Sequence, residues 1–297
     1  MPIEIKDIAG LEKSITKLVE VVADGVGVVG NAVFEFDAKK IKRIGKAEAE
    51  KSRAKIVSDI EAKIEVAEIS LRAQKRFALE QFDKQLNIEN VIAKAKEYLI
   101  GEEVSDNPVD SDWIRRFMGV VQDVGRDDVQ DILAKILAGE VKEPQTFHYR
   151  TLDFVKNLTK NDLTLFKKIS VLINNRHSIL IDKNTANDGF FNISYSEIME
   201  LIEMGLLQSS TTTKYKLEAV SKDTIFSTML RDGRICDVEF TSELGNVELP
   251  IIQTTKVGDE IASCINLDED DSIVLTAYIQ QLEKFYSSKG YNFIARK

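Results

Sequence analysis

DWIRRFMGVVQDVGRDDVQDILAKILAGEVKEPQTFHYRTLDFVKNLTKNDLTLFKKISVLI, residues 112–173, is the stretch whose reading decides the fold. It divides into four short helices. Asp112 or Ser111 offers the first an N-cap, because a side-chain oxygen there can accept a free N–H of the opening turn. Gly139 stands near the end of the second helix and lets the chain turn before Pro144 breaks it. Thr159 precedes a helix entered at Asn161-Asp162. Leu133, Ile136, Leu137, Leu152, Val155, Leu158, Leu165, Phe166 and Ile169 supply a shared core, so the chain reads as mainly α.

Upstream, apolar residues at Ile8, Leu11, Ile15, Leu18, Val22, Val26, Val29 and Val33 keep the i+3/i+4 spacing of an amphipathic helix. From Leu18 to Phe34 the only charges are Glu20 and Asp24, and Gly25, Gly27 and Gly30 remove side-chain bulk. Seventeen residues with two acids make a poor transmembrane span. The stretch reads either as a core or oligomer-seam helix, whose glycines permit close backbone approach, or as an interfacial membrane segment. A basic run follows at once: from Lys39 to Lys55 there are eight lysines and arginines against Glu48 and Glu50. Lys39, Lys40, Lys42, Arg43 and Lys46 are the candidate contacts with an anionic membrane or another anion, since each cation near such a surface is worth about 1 kcal/mol. The same run also reads simply as the solvated face of a helix.

Between Ala38 and Leu99 there is no proline and one glycine, which suits one long helix or a helical hairpin. Val57, Ile60, Ile64, Ala67 and Leu71 follow 3-4 heptad spacing, and Leu79, Phe82 and Leu86 resume it one residue out of phase. A narrow apolar seam of this kind has to be covered by another helix, so a homo-oligomer is expected.

GEEVSDNPVDSDW, residues 101–113, reads as a linker and a domain boundary. Beyond Ser178 short strands mix with helices. SYSEIMELIEMGLL, from Ser194, has a Ser N-cap, an amphipathic helix and a Gly205 stop, and IIQTTKVGDEIASCI, from Ile251, gives a strand, a turn and a helix. A helix ending in GLL followed later by T-x-x-G-x-x-I resembles bacterial winged-helix domains. From Asp237 to Asp271, however, ten acids face one lysine, the wrong sign for a phosphate backbone. The expected organisation is an apolar amphipathic segment (1–37), a long charged helix or hairpin (38–101), a central helical domain (109–175) and a C-terminal α+β winged-helix-like domain (176–297).

With 43% hydrophobic and 30% charged residues and a net charge of −9, the 297-residue chain has a globular composition that argues against wholesale nucleic-acid binding. The acidic N-terminus is not that of a signal peptide, and a cytosolic setting, with contact to the inner membrane at most peripheral, is expected. Cys236 and Cys264 are not spaced as metal ligands and read as buried thiols. His148 and His177 belong to no metal motif, GVGVVG lacks the context of a dinucleotide site, and no P-loop or nucleophile elbow occurs. The expectation is a protein without catalytic residues, metal or cofactor.

The motifs at D-x-W-x-x-R-F, LAKILAGE, Pro144, Thr146-Phe147 and R-T-L resemble the bacterial family called domain of unknown function 2806. The elements are Asp110 or Asp112, Trp113, Arg116 and Phe117; Ala134 to Glu140 with Leu137 and Gly139; and Arg150, Thr151 and Leu152. Leu133 departs from the pattern, which has a tryptophan there. More distantly, Gly10-Leu11, Asp24-Gly25-Val26-Gly27, Leu137-Ala138, Thr146-Phe147 and Thr255 to Cys264 resemble the abortive-infection alpha proteins of phage defence. That second resemblance implies a role in bacterial or prophage antiviral defence, with a phage or host protein as partner, and supplies no mechanism. The signature residues read as structural: Trp113 and Phe117, at i and i+4, form core. Arg116, Glu140 and Arg150 form either a buried ion-pair set or a site for an anionic ligand.

Overall fold

A computed structural model describes residues 13–26, 42–61, 69–181, 193–209 and 213–296. The chain is mainly α with an α+β C-terminal part, ten helices and six strands being formed among the described residues. It divides into two compact units, residues 1–158 and 159–297.

In the first unit, α1 (Lys13–Val26) is followed by α2 (Lys46–Glu61) and α3 (Ile69–Leu99). Then come α4 (Ser111–Val121), α5 (Asp127–Lys142) and α6 (Tyr149–Lys156). The apolar face of α1 is core: Ile15, Leu18, Val19 and Val22 are at most 3% exposed. Gly25 brings α1 against α4 so closely that a β-carbon there would stand 2.6 Å from Ile114 Cγ1. This is the close-approach use of glycine that the sequence allows. The rest of the glycine-rich stretch, together with Lys39 and Lys40, lies outside the described residues.

The hairpin alternative is the one realised between residues 46 and 99. Ile44 N–H donates to Asn90 Oδ1 at 3.0 Å and Arg53 Nε to Asp83 Oδ1 at 2.8 Å, so α2 runs antiparallel to α3. At about 1.5 Å per residue, the 31-residue α3 is roughly 46 Å long. Its last third packs on α5, with Val91, Ile92, Ala95 and Leu99 at most 1% exposed.

The loop 101–110 is no domain boundary, since both its flanks lie in the first unit. Ser105 N–H donates to Lys142 O at 2.9 Å, and Lys17 Nζ donates to Ser105 O at 2.7 Å. The cap of α4 is Asp110, one residue earlier than expected; its carboxylate accepts from the N–H groups of Asp112 and Trp113.

The second unit begins with α7 (Lys160–Ser170), which the sequence reading groups with the central helices. Thr159 and Asp162 form its capping box. Strand β1 (Ser178–Leu180), α8 (Tyr195–Glu203), β2 (Lys214–Val220), β3 (Ile225–Met229), β4 (Ile235–Glu239) and β5 (Gly245–Gln253) follow, then α9 (Lys256–Cys264), α10 (Glu269–Ser288) and β6 (Asn292–Arg296). Two antiparallel three-stranded sheets result, ordered β1-β5-β2 and β3-β4-β6. Tyr278 of α10 is fully buried and donates its hydroxyl to Leu180 O at 2.7 Å. Phe285, Tyr286, Tyr291 and Phe293 form an aromatic cluster between α10 and β6.

Gly258 explains the T-x-x-G pattern. Thr255 caps α9 by accepting from Gly258 N–H, and a β-carbon on Gly258 would lie 2.1 Å from Leu206 O. Between α8 and β2 the described residues form no second helix.

Candidate assembly interface

The basic run enters the structure at Lys42, whose Nζ is 4.0 Å from Glu48 Oε1. Arg43 pairs with Asp127, and Lys46 is exposed at the start of α2. Asp127 also lies 3.2 Å from Lys94 Nζ, and that amine donates to Asp127 O at 2.9 Å. Burial, and then the nearby Arg43 charge, lower the Lys94 pKa. Arg43 therefore helps fasten the hairpin to α5, while Lys42 and Lys46 face solvent, as do Lys51 and Lys55 further along α2.

The apolar seam of the hairpin is poorly covered. Ile56, Val57 and Ile60 of α2 and Leu71, Leu79, Phe82 and Leu86 of α3 are all only half-buried. Ile64 and Ala67 lie outside the described residues. Next to the seam, Ile69, Ala73 and Phe77 make an exposed stripe at i, i+4 and i+8; Ile69 is 74% and Phe77 64% exposed. On a helix this spacing puts three apolar side chains in one row. Leaving a large apolar side chain in water forgoes about 1.5–3 kcal/mol of burial, so two rows of this kind are the chain's clearest candidate for association.

The signature residues form a compact knot around the turn between α5 and α6. Trp113 and Phe117 stack with ring centroids 5.2 Å apart, and Trp113 Nε1 donates to Phe147 O at 2.8 Å. Gly139 is helical; a β-carbon there would meet Phe147 Cε2 at 2.6 Å. Its role is thus to seat the Phe147 ring, while the reversal beyond Pro144 is made by Gln145 in left-handed backbone, φ 71°.

Glu140, 0% exposed, accepts the backbone N–H of Gln145 at 2.7 Å and of Phe147 at 3.0 Å. The carboxylate thereby satisfies the two donors that the reversal turns inward. Arg116 lies over the Tyr149 ring, 5.2 Å from its centroid, and Arg150 is exposed. Leu137 and Leu152 are fully buried, as is Leu133, where the pattern has tryptophan.

The family model for proteins of unknown function DUF2806 matches residues 71–282, from α3 into α10. The chain belongs to that family. No curated protein and no solved structure matches it. The DUF2806 match takes in the whole signature knot and most of the second unit, and leaves out α1, α2 and β6.

One further cluster in this DUF2806 chain escaped the sequence reading. His177 Nδ1 is 3.0 Å from Asp259 Oδ2, and Thr254 Oγ1 contacts the other carboxylate oxygen. Thr254 also bonds the His177 carbonyl, by its hydroxyl at 2.7 Å and its N–H at 3.0 Å, fixing His177 at φ 56°. His177 is far in sequence from Thr254 and Asp259, and the register of β1 with β5 brings it to them. The pair ties the turn before β1 to the first turn of α9. Among the described residues no group of three or more His, Cys, Asp or Glu is arranged to hold a metal ion, and no helix is long and apolar enough to cross a membrane.

Proposed function

We propose that this chain is a non-enzymatic, self-associating protein of bacterial or prophage antiviral defence, of the abortive-infection type, that assembles through the α2–α3 hairpin and presents its second unit to a phage or host protein. The observation that carries the association is the apolar row Ile69, Ala73 and Phe77 beside a half-buried heptad seam. A second copy is the occupant that 3-4 spacing fits, because such a seam packs against another of its own kind. The defence setting rests on the resemblance to the abortive-infection alpha proteins.

Sedimentation velocity on the full chain tests the association. The wild type should sediment as a dimer or larger species at micromolar concentration, and Ile69→Glu/Phe77→Glu as a monomer. Both side chains are mostly exposed, so the change leaves the monomer's core intact. A wild-type monomer at about 50 μM, far above the Kd of a specific assembly, sinks the reading.

Peripheral contact with an anionic membrane is a second reading, favoured by the exposure of Lys42 and Lys46. The apolar face of α1 would take no part in it, being buried in the first unit. Co-flotation with anionic vesicles should then be lost in Lys42→Glu/Lys46→Glu; flotation that persists in this variant removes the reading. DNA binding is the less favoured alternative. The short connection from α9 leads into α10, whose first turn carries Glu269, Asp270 and Asp271 and would repel phosphates.

A further inference from the structure

The first unit of this acidic protein contains a groove with the opposite charge. It has a volume of about 830 Å3 and lies between the face of α3 centred on Leu79 and the end of α4 at Gln122 and Asp123. Three acids line it, and each is already matched to a cation. Lys84 Nζ donates to Glu80 Oε1 at 2.7 Å, Arg53 Nε donates to Asp83 Oδ1 at 2.8 Å, and Lys156 Nζ is 3.7 Å from Asp123 Oδ2.

What remains in the wall is cationic. Arg72 and Arg76, with Lys75 between them, line the same groove. The two arginines stand at i and i+4, on one face of α3 with β-carbons about 6 Å apart. Both are exposed, and the Arg76 charge also acts on Glu80. Two exposed guanidinium forks on one helix face suit the oxygens of adjoining phosphates, which such forks bind bidentately.

Across the groove, Asn87 is bonded through both atoms of its amide. Its Nδ2 donates to Gln122 O at 2.9 Å, and its Oδ1 accepts from Gln130 Nε2 at 3.1 Å. The first of these bonds holds the backbone of Gln122, which also lines the groove. An apolar floor at Leu79, an amide on one wall and two arginines on the other match a molecule with a phosphate end and a less polar end. The volume lies in the usual range for small-molecule sites, roughly 300–1,000 Å3.

We propose that this groove binds a phosphate-bearing small molecule of nucleotide size, its phosphates held by Arg72 and Arg76. The groove shares Leu79 with the apolar seam and flanks the row Ile69, Ala73 and Phe77 of the assembly proposed above, but ligand binding is read separately from sedimentation.

Isothermal titration calorimetry of the full chain at about physiological ionic strength tests it, with ATP and inorganic tripolyphosphate as probes. One ATP per chain should bind, and Arg72→Ala/Arg76→Ala should weaken it by about tenfold or more, the loss of two charge-assisted contacts. Lys160→Ala, in the other unit, should leave affinity unchanged. Both arginines project into solvent, so the double variant should keep the wild-type circular dichroism spectrum. Gln122→Ala, which removes only the amide, should weaken ATP more than tripolyphosphate. Failure of both probes to bind, or binding that the arginine variant does not alter, overturns the proposal. So does a single-stranded 12-mer oligonucleotide binding about tenfold more tightly than ATP, because the groove would then be a nucleic-acid track.

Discussion

Replacing Gly258 by alanine sets two effects of opposite sign against each other. Gly258 is in the first turn of α9, where alanine is favoured over glycine by about 1 kcal/mol. Against this, the new β-carbon would fall 2.1 Å from Leu206 O, a backbone atom that cannot swing aside. Overpacking of this kind costs about 1–3 kcal/mol. The forced movement also pulls on two bonds that seat α9, Thr255 N–H to Leu206 O at 3.0 Å and Thr255 Oγ1 to Gly205 O at 2.5 Å. Each contributes about 1 kcal/mol. The net expectation is a loss of about 2–4 kcal/mol, or an apparent melting midpoint lower by roughly 5–12 °C for a unit of this size. Gly119 of α4 is the control, since a β-carbon there meets nothing within 4 Å. Gly119→Ala should stabilise by about 0.5–1 kcal/mol. Differential scanning fluorimetry of the two variants beside the wild type decides the matter. A Gly258→Ala midpoint equal to or above wild type would refute the argument that the backbone contact outweighs helix propensity.

Glu140→Ala should cost about 2–4 kcal/mol in urea unfolding, because the N–H groups of Gln145 and Phe147 lose their buried acceptor; an effect under about 1 kcal/mol means that water takes the carboxylate's place. Ser194 N–H and then Lys168 hold the Glu197 carboxyl below the usual glutamate range. A depressed carboxyl stabilises the fold above its unfolded pKa and ceases to do so as pH falls through the folded value. The acid limb of the stability profile should therefore begin below about pH 4.3 and be shallower in Glu197→Gln, and identical limbs would count against this cap. Burial pushes the Cys236 thiol up to about 12 and leaves Cys264 2% exposed. Both thiols should resist Ellman's reagent in the native protein at pH 8 and react only on unfolding; rapid native titration of either contradicts the packing.

The sequence by itself determined what depends on local spacing and composition. The 3.6-residue rhythm of residues 112–173, the helix starts at Thr159 and Ser194 and the stop at Gly205 are properties of neighbours along the chain. Each was therefore visible in one dimension, and the signature residues Trp113, Phe117 and Leu152 were rightly read as core for the same reason.

Tertiary structure decided everything that depends on which groups meet. The turn at Gln145 points two N–H groups at the Glu140 carboxylate, a contact that no spacing in the sequence announces. Gly139 looked like a chain stop until the Phe147 ring was found against it. The groove of Arg72 and Arg76 and the contact of His177 with Asp259 join elements far apart in sequence. No periodicity encodes such meetings, because they follow from how whole helices and strands pack, and one residue's position then rests on the burial of many others.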